Sequence, residues 1–191
     1  MSGLSSAVLI PVKAFADAKV RLAGALGPEE RRRLARAMAE GVVRAAKPLP
    51  VAVVCDDSAV AEWAADLGAQ VIWAPDRGLN AAVEEGVARL AEQGADCVTV
   101  VHADLPLVQA IGRLGGSAVV ALAPDRRRDG TNVAAVPANA GFRFSYGPGS
   151  FARHAQEASR LGLRLEVIER ADLAWDVDVP ADLEGLTAGW R

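Results

Sequence analysis

The sequence predicts an α/β fold: a single domain over residues 1–191, with a mostly parallel mixed sheet and helices on both faces. Three observations lead there. Short apolar runs alternate with longer stretches whose apolar residues recur at helical spacing. The opening order β-α-β-α-β-α-β requires crossover connections, which make neighbouring strands parallel. No linker, repeat or low-complexity stretch divides the 191 residues, a length that one core accommodates.

Each element has a local reason. Ala7–Val12 reads as a buried strand, followed by a polar loop holding Lys13, Asp17, Lys19 and Arg21. Pro28 opens a helix with Glu29 and Glu30 in its first turn and Leu34, Met38, Val42 and Ala45 on one face. Val51–Cys55 is a second strand, and Ser58 is placed to cap a helix running to Leu67. Gln70–Trp73 is a third strand. The turn Pro75–Gly78 leads to a helix from Leu79 to Gln93, closed by Gly94. Cys97–His102 forms the fourth strand. A short helix is expected over Val108–Leu114, then strands Ala118–Ala123 and Asn132–Val136. A helix follows over Ser150–Leu161, a strand over Leu163–Ile168, an extended piece over Trp175–Val179 and a terminal helix near Ala181–Leu186.

Composition narrows the function. Half of the residues are hydrophobic, yet no apolar run approaches the roughly 20 residues that span a bilayer. The start MSGLSSAVLIPV lacks a basic segment and a small-residue cleavage site, so a cytoplasmic protein without a signal peptide is expected. Cys55 and Cys97 lie in strand-like runs and read as buried thiols. A net charge of −3 gives no general footprint for nucleic acid. Of two basic clusters, Arg31–Arg33 reads as a solvated helix face, while Arg126–Arg128 lies in a loop where an anion could approach. His102 and His154 lack partners at zinc spacing. Ser150 and His154 lack the strand-to-helix elbow of a serine hydrolase.

In sheets of this kind ligands bind beyond the carboxyl ends of the strands. Lys13, Asp56, Asp76, Asp104 and Asp176 all follow strand-like pieces. Asp176 and Asp178 flank Val177, so in an extended chain their carboxylates share one face. Two acids side by side repel unless a cation sits between them, and hard oxygen ligands suit Mg²⁺ with substrate phosphates. The competing reading is a turn before Pro180 for the pair, and an Asp-Leu-Pro turn for Asp104. Three acids after strands, in a fold that gathers strand ends, favour the metal: Asp104, Asp176 and Asp178.

Three loops concern anions. Lys13, Lys19 and Arg21 follow the first strand without a Walker or dinucleotide fingerprint; they form a solvated basic loop or a cradle for a triphosphate. Gly78-Leu79-Asn80 is either a turn and cap or a place where Asn80 reads a ribose or purine edge. Asp129-Gly130-Thr131-Asn132 and Gly147-Pro148-Gly149-Ser150 are turns, or together an acceptor-anion pocket.

Six stretches in order, IPVKAFADAKVRL, DRGLNAA, VVHADLPL, APDRRRDGTN, FSYGPGSFARH and WDVDVPADL, resemble the 2-phospho-L-lactate and phosphoenolpyruvate guanylyltransferases of deazaflavin coenzyme F-420 biosynthesis. The likeness runs from about Val8 to Leu186. It implies a nucleotide-diphospho-sugar transferase fold, similar to glycosyltransferase type A, and GMP transfer from GTP to a small phosphorylated acid. Phosphoenolpyruvate, 2-phospholactate and 3-phosphoglycerate all present the required phosphate beside a carboxylate. The resemblance also implies Asp104, Asp176 and Asp178 as metal ligands and catalytic groups together with Lys19. It assigns Thr131, Gly147 and Ser150 to the acceptor, and Lys13, Lys19, Arg21 and Asn80 to the nucleotide. One departure is that Leu107–Ser117 is shorter than the family pattern. Other nucleotidyltransferases, of molybdenum-cofactor or sugar-phosphate type, usually carry a glycine-rich, arginine-containing loop that Lys13–Leu22 lacks. A GTP-binding module without catalysis is the rival from another class.

Overall fold

A computed structural model describes residues 5–184 and 186. Its strands are β1 (Ser6–Pro11), β2 (Val51–Cys55), β3 (Gln70–Trp73), β4 (Cys97–Val101), β5 (Val119–Pro124), β6 (Thr131–Pro137) and β7 (Arg164–Val167). They form one sheet in the order β3-β2-β1-β4-β6-β5-β7. β6 runs antiparallel to both neighbours and every other pairing is parallel, so the expected mixed sheet is present.

Period-two alternation sorts the strand side chains onto two faces. Val8, Ile10, Val53 and Cys55 meet α1 (Pro28–Ala46) and α2 (Ser58–Asp66) through Val42, Val43, Val60 and Trp63. Leu9, Val54, Val100 and Leu122 meet α3 (Leu79–Glu92) and α4 (Ser150–Arg160), with Phe142, Phe144 and Tyr146 filling the space between. Each fully buried large aliphatic on these faces contributes roughly 1.5–3 kcal/mol of transfer free energy. At Gly86 the contact is so close that a Cβ would stand 2.5 Å from Leu9 Cδ2, which explains a glycine inside a helix.

Three expectations are corrected. The helix over Val108–Leu114 is absent. Gly112 and Gly115 take φ of 65° and 70°, outside helical space, and tertiary partners replace helical ones. Ile111 N donates to Ala45 O at 2.9 Å, Ala110 O accepts from Arg170 at 2.7 Å, and Leu114 O accepts from the Cys97 thiol at 3.4 Å. The cap of α2 is Asp57, whose Oδ1 accepts from Val60 N at 2.9 Å; Ser58 is already helical. Trp175–Val179 is extended at both ends, as expected, pairs with no strand, and follows a short helix that the sequence reading missed, α5 (Ala171–Ala174). The terminal helix is one turn, α6 (Pro180–Leu183). Gly185 of that expected helix, and residues 1–4 and 187–191 of the expected domain, lie outside the described residues. The loop after β1 adds two 3-10 turns, Phe15–Asp17 and Val20–Leu22. Among the described residues no helix is long and apolar enough to cross a membrane.

Candidate active site

The carboxyl ends of β1 and β4 open into a cavity of about 390 Å³, lined by Lys13, Phe15, Lys19, Arg21, His102, Asp104 and Asp178 among others. A second opening of about 420 Å³ continues from it across β2 toward Asp56, Arg77 and Gly78, sharing Pro11, Lys13 and Leu79. Parallel strands that end together and loops that must leave them produce such a cleft.

Lys19 is the centre of the charged part. Its Nζ lies 2.6 Å from Asp104 Oδ2 and 3.4 Å from Asp178 Oδ1, and Arg21 approaches Asp178 at 3.6 Å. The Lys19 backbone is left-handed, with φ of 57°, a conformation that costs a residue with a Cβ about 1 kcal/mol. The strain aims the side chain at the two acids. Burial alone would push the Lys19 ammonium down, but Asp104 and then Asp178 outweigh it and hold it above its ordinary value. Asp104 mirrors this: burial disfavours its charge, and Lys19 brings it below the usual carboxylate range. Asp176 differs. Burial first, and the charge of Asp104 next, raise its pKa. Three acids with one lysine between two of them are short of positive charge.

The second acid pair is delivered differently from Asp104. Val177 is fully buried against Leu22 and Met38, which turns its two flanking acids outward together, as alternation predicts. Val177 N donates to Asp104 O at 3.3 Å, joining the two acidic pieces. Asn132 Nδ2 donates to Leu173 O at 3.0 Å and stands 3.5 Å from Asp176 Oδ1.

The residues expected at the acceptor also meet. Thr131 and Ser150 hydroxyls are 3.4 Å apart, and Ser150 N donates to Gly147 O at 3.0 Å. Both hydroxyls are buried, and Thr131 Oγ1 lies 3.0 Å from His154 Nδ1. His154 Nε2 accepts from Ser145 N at 2.9 Å, so the proton sits on Nδ1 and the ring is neutral. Gly147, with φ of 114°, and Gly149, with φ of 72°, form an exposed to half-buried loop above this layer. Asn80 is not among the residues lining either cavity. Its Oδ1 accepts from Tyr146 N at 2.7 Å and ties the start of α3 to the chain leading into the glycine loop. Lys13 is exposed and lines both openings.

Asp182 escaped the sequence reading, and Arg126, Asp129 and Asn132 were read there only as members of anion-facing loops. Asp182, Arg126, Asn132 and Asp129 bond the loops that carry the site, and two of the three clustered arginines are engaged: Arg126 with Asp182 and Arg128 with Glu169. An available signal was Pro180-Ala-Asp182, an acid at the third helical position that can reach back to the preceding N–H groups.

A magnesium ion is tested by the donors themselves. Asp104 Oδ1 is buried and has no hydrogen-bond partner, and an ammonium group already lies between Asp104 and Asp178. Among the described residues no three His, Cys, Asp or Glu side chains converge closely enough to enclose an ion unaided. An all-oxygen, incomplete donor set fits Mg²⁺, which keeps water and substrate phosphate in its shell.

The sheet order, the strand-end cleft and the acid-lysine cluster define a nucleotidyltransferase-type α/β fold. Solved structures agree on the fold. A candidate nucleotide-diphospho-sugar transferase from Desulfovibrio desulfuricans G20 superposes with TM-score 0.73 at 16% identity, covering 94% of this chain and 85% of that one. A Methanothermobacter nucleotidyl transferase gives 0.64 at 15% identity and 95% of both chains. The chain belongs to the CofC-like guanylyl transferase family, whose sequence model matches residues 6–188, and it is accordingly an enzyme of nucleotidyl transfer. Relatives named phosphoenolpyruvate guanylyltransferase include those of Rubrobacter xylanophilus, 40% identical over 97% of this chain and 95% of the relative, and of Sphaerobacter thermophilus, 37% identical over 96% and 93%.

Proposed function

We propose that the protein transfers GMP from GTP to the phosphate of phosphoenolpyruvate, releasing pyrophosphate, in the cytoplasm and toward deazaflavin coenzyme F-420. 2-Phospholactate and 3-phosphoglycerate carry the same phosphate-beside-carboxylate group and are the acceptors to compare. The observation that carries the reading is Lys19, held between Asp104 and Asp178 in the strand-end cleft. The names of the close relatives support the acceptor.

The chemistry follows from charge. A phosphate oxygen of the acceptor attacks the α-phosphorus of GTP, forming a P–O bond as the bond to the bridging oxygen of pyrophosphate breaks. That oxygen keeps the electron pair. The acceptor phosphate is ionised near neutral pH, so no strong general base is needed, and His102 and His154 are not required to take a proton. Lys13, Lys19 and Arg21 lie where cations offset the triphosphate and the charge gathering on the leaving group. Asp104, Asp176 and Asp178 would hold Mg²⁺, which when bound supplies further neutralisation of phosphate charge. The glycine loop at 147–149 and the neighbouring hydroxyl layer orient the acceptor.

Incubation with Mg²⁺, each nucleoside triphosphate and each of the three acids, with pyrophosphate and product mass measured, tests the proposal. A GMP adduct of phosphoenolpyruvate is expected; no adduct with any of the three refutes it. Asp104→Asn should lower turnover by about 10²-fold or more, on the scale of losing one electrostatic stabiliser. Full activity at ordinary Mg²⁺ would remove Asp104 from the site.

A further inference from the structure

The segment Trp175–Val179 carries two of the three acids yet has no strand partner, so something other than the sheet must fix it. The bonds that do so converge on two side chains. Asp182 is buried; its Oδ2 accepts from Asp178 N at 2.7 Å and from Val179 N at 2.8 Å. Its Oδ1 receives the Arg126 guanidinium at 2.6 Å. Arg126 then holds the same segment at two further points and the residue before it at a third. Its guanidinium stacks 3.8 Å from the Trp175 ring centroid and lies 3.4 Å from Asp176 O, and its backbone N donates to Ala174 O at 3.1 Å.

The turn that presents Arg126 reaches the other substrate side as well. Asp125 Oδ1 accepts from Arg127 N at 3.0 Å and Asp129 N at 2.9 Å, which closes the turn. Asp129 Oδ2 accepts from Gly149 N at 3.1 Å, and its carbonyl accepts from Phe151 N at 3.0 Å. One hairpin turn therefore supports both the acid pair and the glycine loop.

We propose that Arg126 and Asp182 are positioning residues: a clasp that sets Asp176 and Asp178 for the divalent ion and fixes them relative to the acceptor loop. The clasp rests on the reading that this acid pair binds metal. Arg126 is accordingly spent on the protein rather than on substrate, although its cluster invites assignment to an anion. A planar guanidinium is required, because it stacks on Trp175 while donating to Asp182 in the ring's neighbourhood, and an ammonium cannot do both equally well.

The test uses Asp182→Ala, Arg126→Met and Arg126→Lys in the full chain. Mn²⁺ affinity without substrate should weaken roughly 10- to 100-fold in Asp182→Ala and Arg126→Met, the range for losing a group that orients a ligand. The dependence of turnover on Mg²⁺ should shift by a similar factor, with the KM for GTP little changed, and Arg126→Lys should fall between wild type and Arg126→Met. Amide exchange at Asp178 and Val179 should speed up in the same order, a readout that needs no metal. Unchanged amide protection in the folded variants overturns the clasp. Should Asp182→Ala not fold, Arg126→Lys carries the same comparison with its charge retained. Wild-type protein that binds no Mn²⁺ overturns the metal reading instead, and the clasp is then decided by the amides.

Discussion

The two halves of the sheet reach the same cleft by different physics. In β3-β2-β1-β4 all pairings are parallel, helices cover both faces of β1 and β2, and Lys13 and Asp104 follow directly from the ends of β1 and β4. In β6-β5-β7 the outermost strand is largely exposed, as is β3 at the other edge, and the candidate site residues lie on connections held by polar side chains: Asn132 to Leu173, Asp182 to Asp178, Asp129 to Gly149. The first half is an apolar framework with chemistry at its tips. The second sets, on the fully buried strands β5 and β6, loops whose positions depend on individual hydrogen bonds. A ligand set shared between them can thus be lost in two ways, by loosening a core or by removing one acceptor.

The contrast is broken most forcefully in the core. Leu9 is fully buried beneath Gly86, and Leu9→Ala should cost about 2–5 kcal/mol in urea denaturation through lost transfer energy and a cavity. Leu165 on β7 is 38% exposed, and Leu165→Ala should stay within about 1 kcal/mol. Equal losses at the two positions would mean that the centre of the sheet and its β7 edge are not packed differently.

Next in size is the polar layer beneath the glycine loop at 147–149. Burial lowers the His154 pKa to about 4, with Arg153 adding to the effect. Its Nε2 already accepts from Ser145 N, so protonation there forces a bond to break. Because the folded value is depressed, the unfolded chain takes up this proton first. Stability is therefore full above about pH 6.5 and is lost as the pH falls toward 4, by about 3 kcal/mol at the limit. Denaturation midpoints measured between pH 7 and 4 should fall less steeply in His154→Gln, which has no such titration. Parallel profiles would remove His154 from the acid sensitivity.

What the sequence made legible divides along the same line. β2 and β3 were read to the residue, and the other strands and principal helices to within a residue or two, because apolar periodicity reports burial directly. Asp104 was readable as a strand-end acid, and Asp176 with Asp178 from alternation around Val177. The resemblance supplied the gathering of Thr131, Gly147 and Ser150 that spacing left open. Arg126 and Asp182 were hidden because their bond joins residues 56 apart in the chain, and no local pattern encodes it. The same holds for 108–114, where apolar residues suggested a helix while Gly112 and distant carbonyls decided otherwise.

The smallest effect sharpens where that line runs. It separates apolar pattern from polar detail, and it also crosses the well-read half of the sheet, at the start of α2. Sequence placed the cap on Ser58, but either Asp57 or Ser58 satisfies the residue preference, and the preference cannot tell adjacent positions apart. Asp57 is extended, with φ of −121°, and accepts from the third N–H of the helix; Ser58 lies inside the first turn. Asp57→Ala should therefore cost roughly 0.5–2 kcal/mol, and Ser58→Ala only a few tenths at most, since alanine favours the helix. Chemical denaturation of the two variants decides it. If Ser58→Ala is the more damaging, the cap is where the sequence put it, and the local backbone at Asp57 must be redrawn. If Asp57→Ala is, a one-residue displacement of a polar bond passes unseen even where the apolar pattern is strongest, and hydrogen bonds such as that between Arg126 and Asp182 lie beyond the same pattern for the same reason.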